Sequence, residues 1–147
     1  MRRIAVLTVI GVLASGGAAI AVSTPPPSAY SYYYGFTRQG LHMTVILQYG
    51  KEVEDIHYNV HFICKDGTKG VQTFDWPFSK HPIPITHAKF RGTDTGSPFS
   101  SATTFDGKLN GKHITGSFTL TFKQSTVRCS SGGAVAYKTT RGALKYW

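Results

Sequence analysis

Histidine is the residue in this chain whose chemistry would be easiest to use, because imidazole binds metals and moves protons near neutral pH. His57 and His61 have the H-x-x-x-H spacing of a helical metal-binding pair. The alternating pattern around them predicts a strand instead, on which they would lie about 13 Å apart at ~3.3 Å per residue. One metal ion with bonds of about 2 Å cannot bridge that gap. Because only a cross-strand neighbour such as His42 or His113 could complete a site, we expect surface histidines, no metal site and no cofactor.

Carboxylates are few, and most of them have a structural explanation. Asp66 and Asp106 precede glycines, as turn residues do. A glycosidase needs two carboxyl groups about 5 to 9 Å apart, one with a raised pKa. Asp75 beside Trp76 is the one acid with an aromatic neighbour that could desolvate it. The chain lacks the G-x-S-x-G elbow, the phosphate-binding loop, H-E-x-x-H and the dinucleotide fingerprint. We therefore predict no catalytic residues and expect no enzyme.

The two cysteines, Cys64 and Cys129, predict one disulfide. An even count in an exported chain indicates a structural bridge, because the compartment is oxidising. The rival interpretation, a pair of metal-binding thiolates, lacks the close C-x-x-C spacing of zinc sites.

Export itself is predicted from the N-terminus. Arg2 and Arg3 precede a short apolar run, Ile4–Leu13, and an A-x-A motif ends at Ala21. This pattern is typical of a cleaved signal peptide, residues 1–21. The apolar run is shorter than the ~20 residues of a membrane-spanning helix. We expect a secreted, extracellular product whose contact with membrane is limited to the leader.

The charge of the chain restricts its partners. The formal charge is +9, and without Arg2 and Arg3 it would be +7. A positive balance favours anionic polymers such as teichoic acids or acidic glycans. Because the cations are scattered and form no cluster, specific nucleic-acid recognition is not expected.

The elements that must position these residues are strands. Residues 22–34 form a Pro/Tyr-rich linker in this interpretation, and residues 35–147 form a single domain. Tyrosines and a phenylalanine crowd residues 30–36; they could be a stacking platform or, preferably, a first edge strand whose alternate rings pack on the core. Alternating apolar residues over 53–64 predict another strand, with Cys64 pointing inward.

The strongest local signal is a hairpin over residues 103–122. Asn110-Gly111 favours a two-residue type I′ turn, which would pair Leu109 with Lys112 and place Phe105 opposite Gly116. The prolines between Pro77 and Pro98 predict loop and edge strand there, with a polar loop from residue 92 to residue 100.

The pattern as a whole predicts an all-β, antiparallel β-sandwich, jelly-roll-like or Ig-like, with about seven or eight strands and one disulfide. Five segments also resemble small secreted single-disulfide β-sandwich domains common in actinobacteria: GFTRQG at 35–40, FICKDG at 62–67, FDG at 105–107, GSF at 116–118 and CSSG at 129–132. Such domains usually carry an aromatic near the last strand, where this chain has Tyr137. The resemblance implies this fold and an export route, and it supplies no active-site residues.

Three functions remain as hypotheses. The first is a secreted, non-catalytic binding module for an anionic cell-wall polymer or a glycan, using exposed aromatics: Tyr32, Tyr33, Tyr34, Trp76 and Tyr137. The second is an inhibitor or protein-interaction factor that presents the loop Pro77–Pro98 to an extracellular protein. The third and least favoured is a small hydrolase.

Overall fold

The described part of the chain is built from antiparallel strands. The computed structural model describes residues 29–77, 81–96 and 101–142, which contain β-strand and no helix. The predicted leader, residues 1–21, lies outside them. The strands are β1 Tyr30–Thr37, β2 His42–Gln48, β3 Glu52–Cys64, β4 Lys69–Pro77, β5 Ile83–Pro84, β6 Lys89–Gly96, β7 Ser101–Asn110, β8 His113–Gln124, β9 Val127–Ser130 and β10 Val135–Gly142. The all-β prediction is confirmed, with ten described strands instead of seven or eight.

All of these strands belong to one hydrogen-bonded sheet, so the two separate sheets of a sandwich are not observed in the described residues. The order is β4-β3-β2-β1-β10-β8-β7-β6, with β5 beside β3. Along one edge, β3 pairs first with β2 and then with β9. Along one edge, β8 pairs first with β10 and then with β9. Because β9 joins β3 to β8, six strands form a closed ring in the order β3, β2, β1, β10, β8 and β9.

The core lies inside this curled sheet, and Tyr58 is at its centre. The Tyr58 ring contacts Phe74, Phe105 and Phe118, with centroid distances of 5.4, 5.2 and 4.6 Å. Alternate residues of β3 from Ile56 to Cys64 are buried, as the alternation predicted. The inner face of the sheet is therefore apolar, whereas the outer face carries polar side chains together with some exposed apolar ones.

A buried hydrogen-bond network satisfies the polar end of Tyr58. Its hydroxyl oxygen lies 3.1 Å from Thr103 Oγ1 and accepts a hydrogen bond from Trp76 Nε1 at 3.0 Å. Burial raises the pKa of Tyr58 to about 12. The phenol is therefore neutral, and its role in the core is structural.

The hairpin of β7 and β8 is present, but its predicted register is wrong. Asn110 pairs with His113, so the two turn residues are Gly111 and Lys112. Gly111 has a φ of 58°, as the first central residue of a type II′ turn requires. This register places Phe105 opposite Phe118, an aromatic pair, instead of opposite a glycine.

Two glycines face each other in the same hairpin because a side chain at either position would clash with Tyr137. Gly107 pairs with Gly116, and a Cβ at either position would lie 2.7 Å from the hydroxyl of Tyr137. That hydroxyl donates a hydrogen bond of 2.9 Å to the carbonyl oxygen of Asp106. The missing side chains make room for the end of a ring that comes from β10.

The position of β1 also differs from the prediction. β1 pairs with β2 on one side and with β10 on the other, so it is an inner strand and not an edge strand. It begins at Tyr30, so residues 30–34 belong to the sheet and not to the predicted linker. In the described residues β6 pairs only with β7 and forms an edge. It extends to Gly96, so the polar loop predicted from residue 92 is wrong over residues 92–96.

The predicted disulfide is confirmed. Cys64 of β3 and Cys129 of β9 are direct cross-strand neighbours and are bonded to each other. Only two residue pairs join β3 to β9, so the bridge reinforces the contact that closes the ring.

Candidate functional site

A continuous stripe of aromatic side chains runs along the outer face of β1. Alternation places Tyr33 inside and four other rings outside: Tyr30, Tyr32, Tyr34 and Phe36. The six steps from Tyr30 to Phe36, at about 3.3 Å each, make this aromatic stripe roughly 20 Å long. A strand that sits inside the sheet holds the stripe rigidly, because both neighbours of β1 fix its backbone.

The rings of the stripe are accessible at its two ends and partly covered in the middle. Phe36 is 54% exposed and Tyr30 is 38% exposed. The half-buried rings of Tyr32 and Tyr34 are nearly parallel, at 9°, with centroids 6.3 Å apart. Phe36 lies against His42 of β2, with a centroid distance of 4.9 Å. The stripe therefore presents rings in a fixed order along one line.

A row of lysines approaches the stripe from the side of β10. Lys89 of β6 is the cross-strand neighbour of Lys108 of β7, and Lys108 is opposite Thr115 of β8. Thr115 pairs with Lys138 of β10, and Lys138 pairs with Phe36. The three lysines of this lysine row are exposed, and neighbouring strands lie about 4.8 Å apart. The row ends at the aromatic stripe.

The cations of the described residues are not neutralised by the protein. There are 12 Lys and Arg residues against 7 Asp and Glu residues in this part of the chain, and none of its Lys or Arg residues forms an ion pair. Several acids bind elsewhere: Asp66 accepts from the backbone of Thr68, and Asp106 accepts from the hydroxyl of Ser117. The excess positive charge therefore remains available to an anionic partner.

A shallow depression lies at the far end of the lysine row. It has a volume of about 600 Å³ and is lined by residues that include Lys89, Arg91 and Lys108. A two-residue turn precedes Lys89, in which His87 and Ala88 have φ values of 51° and 60°. A left-handed conformation costs a non-glycine residue about 1–2 kcal/mol. The structure thus maintains a strained turn beside the paired lysines, as often occurs at functional sites.

Three of the aromatics predicted to be exposed are in the core, so that expectation is wrong for them. Tyr33 is 3% exposed, Trp76 is 6% exposed and Tyr137 is 4% exposed. Their positions in the alternation of β1, β4 and β10 point them inward. Burial raises the pKa of Tyr137 as it does that of Tyr58. Of the five predicted rings, only Tyr32 and Tyr34 lie on the outer face.

The structure gives His57 two acidic neighbours instead of a second histidine. His57 Nε2 lies 3.1 Å from Asp55 Oδ2, and Nδ1 lies 3.0 Å from Asp75 Oδ1. Contact with the Asp55 carboxylate raises the pKa of His57 above its ordinary value of 6.5, although burial opposes this. Partial burial raises the pKa of Asp75, with the charge of His57 acting in the opposite direction. Asp75 was singled out from the sequence for Trp76, but Trp76 faces the core.

Sequence reasoning missed Asp55, although a signal for it exists. Gly67, with a φ of 87°, closes a three-residue turn between β3 and β4 in which Cys64 faces Thr68. In the register that this turn sets, His57 pairs with Asp75, and Asp55 lies on the same face of the sheet as both. The sequence predicted the turn but not its length.

The segment Pro77–Pro98, predicted to be a rigid probe for a protein partner, is only partly described. Residues 78–80 and 97–100 lie outside the described ranges. The inhibitor hypothesis therefore stays a prediction.

Comparison with known proteins adds no relative. No protein-family model matches the chain, and no curated protein or solved structure matches it significantly. The described residues include no helix long and apolar enough to cross a membrane.

Proposed function

We propose that this protein is a secreted, non-catalytic binding module for an anionic glycan or cell-wall polymer. The binding face consists of the aromatic stripe and the lysine row. One observation carries the proposal: Lys138 is the cross-strand neighbour of Phe36, so cations and exposed rings meet on one rigid surface.

The chemistry of this face suits a polymer that is both cyclic and anionic. Aromatic rings offer flat apolar surface that stacks against the apolar faces of sugar rings. Lysine ammonium groups attract carboxylate or phosphate groups, and they do so best where no protein carboxylate competes. A stripe of roughly 20 Å on one strand fits an extended chain better than a single small molecule.

The disulfide supports the secreted part of the proposal. Structural disulfides form and persist outside the reducing cytosol. The bridge between Cys64 and Cys129 and the leader predicted for residues 1–21 both suit an extracellular protein.

Co-sedimentation tests the proposal directly. Purified protein is mixed with peptidoglycan that carries its anionic polymers, with the same material stripped of those polymers, and with chitin and cellulose. We expect retention on the anionic material at low salt, and release at high salt because ions screen the lysines.

One double variant and one control variant test whether ring stacking contributes to retention. Replacing both Tyr32 and Tyr34 with alanine should weaken retention at every salt concentration, because the stacking surface is lost. Tyr49→Ala is the matched control, since Tyr49 is 69% exposed in the turn after β2. Equal loss in both variants, or no retention of the unaltered protein on any polymer at low salt, would contradict the proposal.

A further inference from the structure

We propose that Asp55, His57 and Asp75 form a binding site for one divalent transition-metal ion of the zinc type. One donor atom from each residue lies within 4.8 Å of the other two. The set combines one imidazole nitrogen with two carboxylate oxygens, which are ligands that zinc accepts. This inference does not depend on the proposed polymer binding.

The sheet positions the three donors before any ion arrives. His57 and Asp75 are direct cross-strand neighbours on β3 and β4, and Asp55 precedes His57 by two residues on the same outer face. Paired strands fix these side-chain origins within a few ångströms of each other. An ion on one ring nitrogen of His57 would already have one carboxylate beside it, and the other carboxylate would turn towards it from the opposite ring nitrogen.

A separate observation supports an ion bound by both oxygens of Asp55. The second oxygen of Asp55, Oδ1, is buried and has no hydrogen-bond partner among the residues that the structure describes. A buried carboxylate oxygen without a donor is costly, and a metal ion would satisfy it. The side chain of Asp55 as a whole is only 18% exposed, so solvent has limited access to it.

The charge of the cluster also favours binding of a cation. Two carboxylates lie beside a single histidine in a part of the chain where cations outnumber acids, yet no described Lys or Arg pairs with either of them. Like charges held together favour binding of a positive ion. His57 would lose one ring proton to coordinate the ion, as histidine ligands do.

The ligand set selects among metals. Mg²⁺ and Ca²⁺ prefer sites made only of oxygen ligands, so the imidazole ligand of His57 favours binding of a transition metal over either of them. His57 and Asp75 have side chains 42% and 61% exposed, so an ion could enter from solvent. Three protein ligands would leave room for water on the ion.

Isothermal titration of the purified protein with ZnCl₂, in a non-chelating buffer, tests the site. We expect one equivalent of Zn²⁺ to bind, with much weaker binding of Mg²⁺. Asp75→Asn should reduce the affinity at least about tenfold, since loss of even an indirect partner of a ligand costs about 10–100-fold. His61→Gln is the matched control, because His61 is an exposed histidine on the same face of β3. It should leave the affinity unchanged.

NMR supplies a second measurement that does not depend on affinity alone. The imidazole resonances of His57 should shift on addition of Zn²⁺, and those of His61 should not. No binding by the unaltered protein, or binding that His61→Gln removes and Asp75→Asn does not, would overturn the proposal. A thermal melt of each variant without metal verifies that it is folded.

Discussion

Replacing Lys108 with glutamate should stabilise the protein while weakening its binding of anionic polymers. Lys108 faces Lys89 directly across β6 and β7, and like charges in that position are destabilising. Removing the repulsion and creating an opposite-charge pair should each contribute about 0.2–1 kcal/mol. The nearby carboxylate of Asp106, two residues away on the same strand face, will offset part of the gain.

We therefore expect a net gain of about 0.5–1 kcal/mol in the free energy of unfolding at low salt. For a domain of roughly 100 residues this corresponds to a rise in Tm of about 2–8 °C. The gain should shrink in 1 M NaCl, where the Debye length falls to about 3 Å. Urea unfolding at both salt concentrations measures it.

The same variant should elute from the anionic polymer at lower salt than the unaltered protein. It loses one of three cations in the lysine row and gains a repulsive charge. Lys69→Glu makes the same change in net charge, but Lys69 faces Ile63 and no cation. The control should therefore gain no stability and lose less binding. A loss of stability in Lys108→Glu, or unchanged binding, would refute the reasoning.

Three further predictions concern the core, the closing bridge and pH. Tyr58→Phe should cost about 2–4 kcal/mol in urea unfolding because it leaves the buried N–H of Trp76 and the buried hydroxyl of Thr103 without their shared partner; a cost below 0.5 kcal/mol would contradict the network. Replacing both cysteines with alanine should cost about 4 kcal/mol, since the bridge spans 65 residues; calorimetry that finds the same Tm would reject this. Because the pKa of His57 is raised on folding, protonated His57 stabilises the folded protein fully below pH 6.5, and this stabilisation is lost as pH rises through the higher folded pKa. His57→Gln, measured in the presence of a chelator, should therefore flatten the change in the free energy of unfolding across that pH window. An unaltered pH profile would count against this prediction.

The faces of the strands were predictable because alternation has a period of two. The hairpin register was wrong by an even number of residues, so every side chain of β7 and β8 remained on its predicted face. Local turn chemistry failed because two adjacent dipeptides, Asn110-Gly111 and Gly111-Lys112, can both form tight turns. The aromatic pairing across the strands decided between them.

The candidate sites were less predictable because they depend on pairing between distant strands. Lys138 meets Phe36 only because β10 lies beside β1, and no local pattern encodes that contact. To predict that Asp55, His57 and Asp75 lie together, the length of the turn after β3 must be known. The prediction that Tyr33 is exposed was wrong, although the alternation along β1 places this ring on the inner face.

The most direct test of the account is an NMR titration of the isotope-labelled protein with a short, soluble polyuronate. We predict chemical-shift changes along the aromatic stripe and the lysine row, at Tyr32, Tyr34, Lys108 and Lys138, that disappear in high salt. Changes confined to the turn between β3 and β4, or no changes at low salt, would contradict the claim that this face binds anionic polymers.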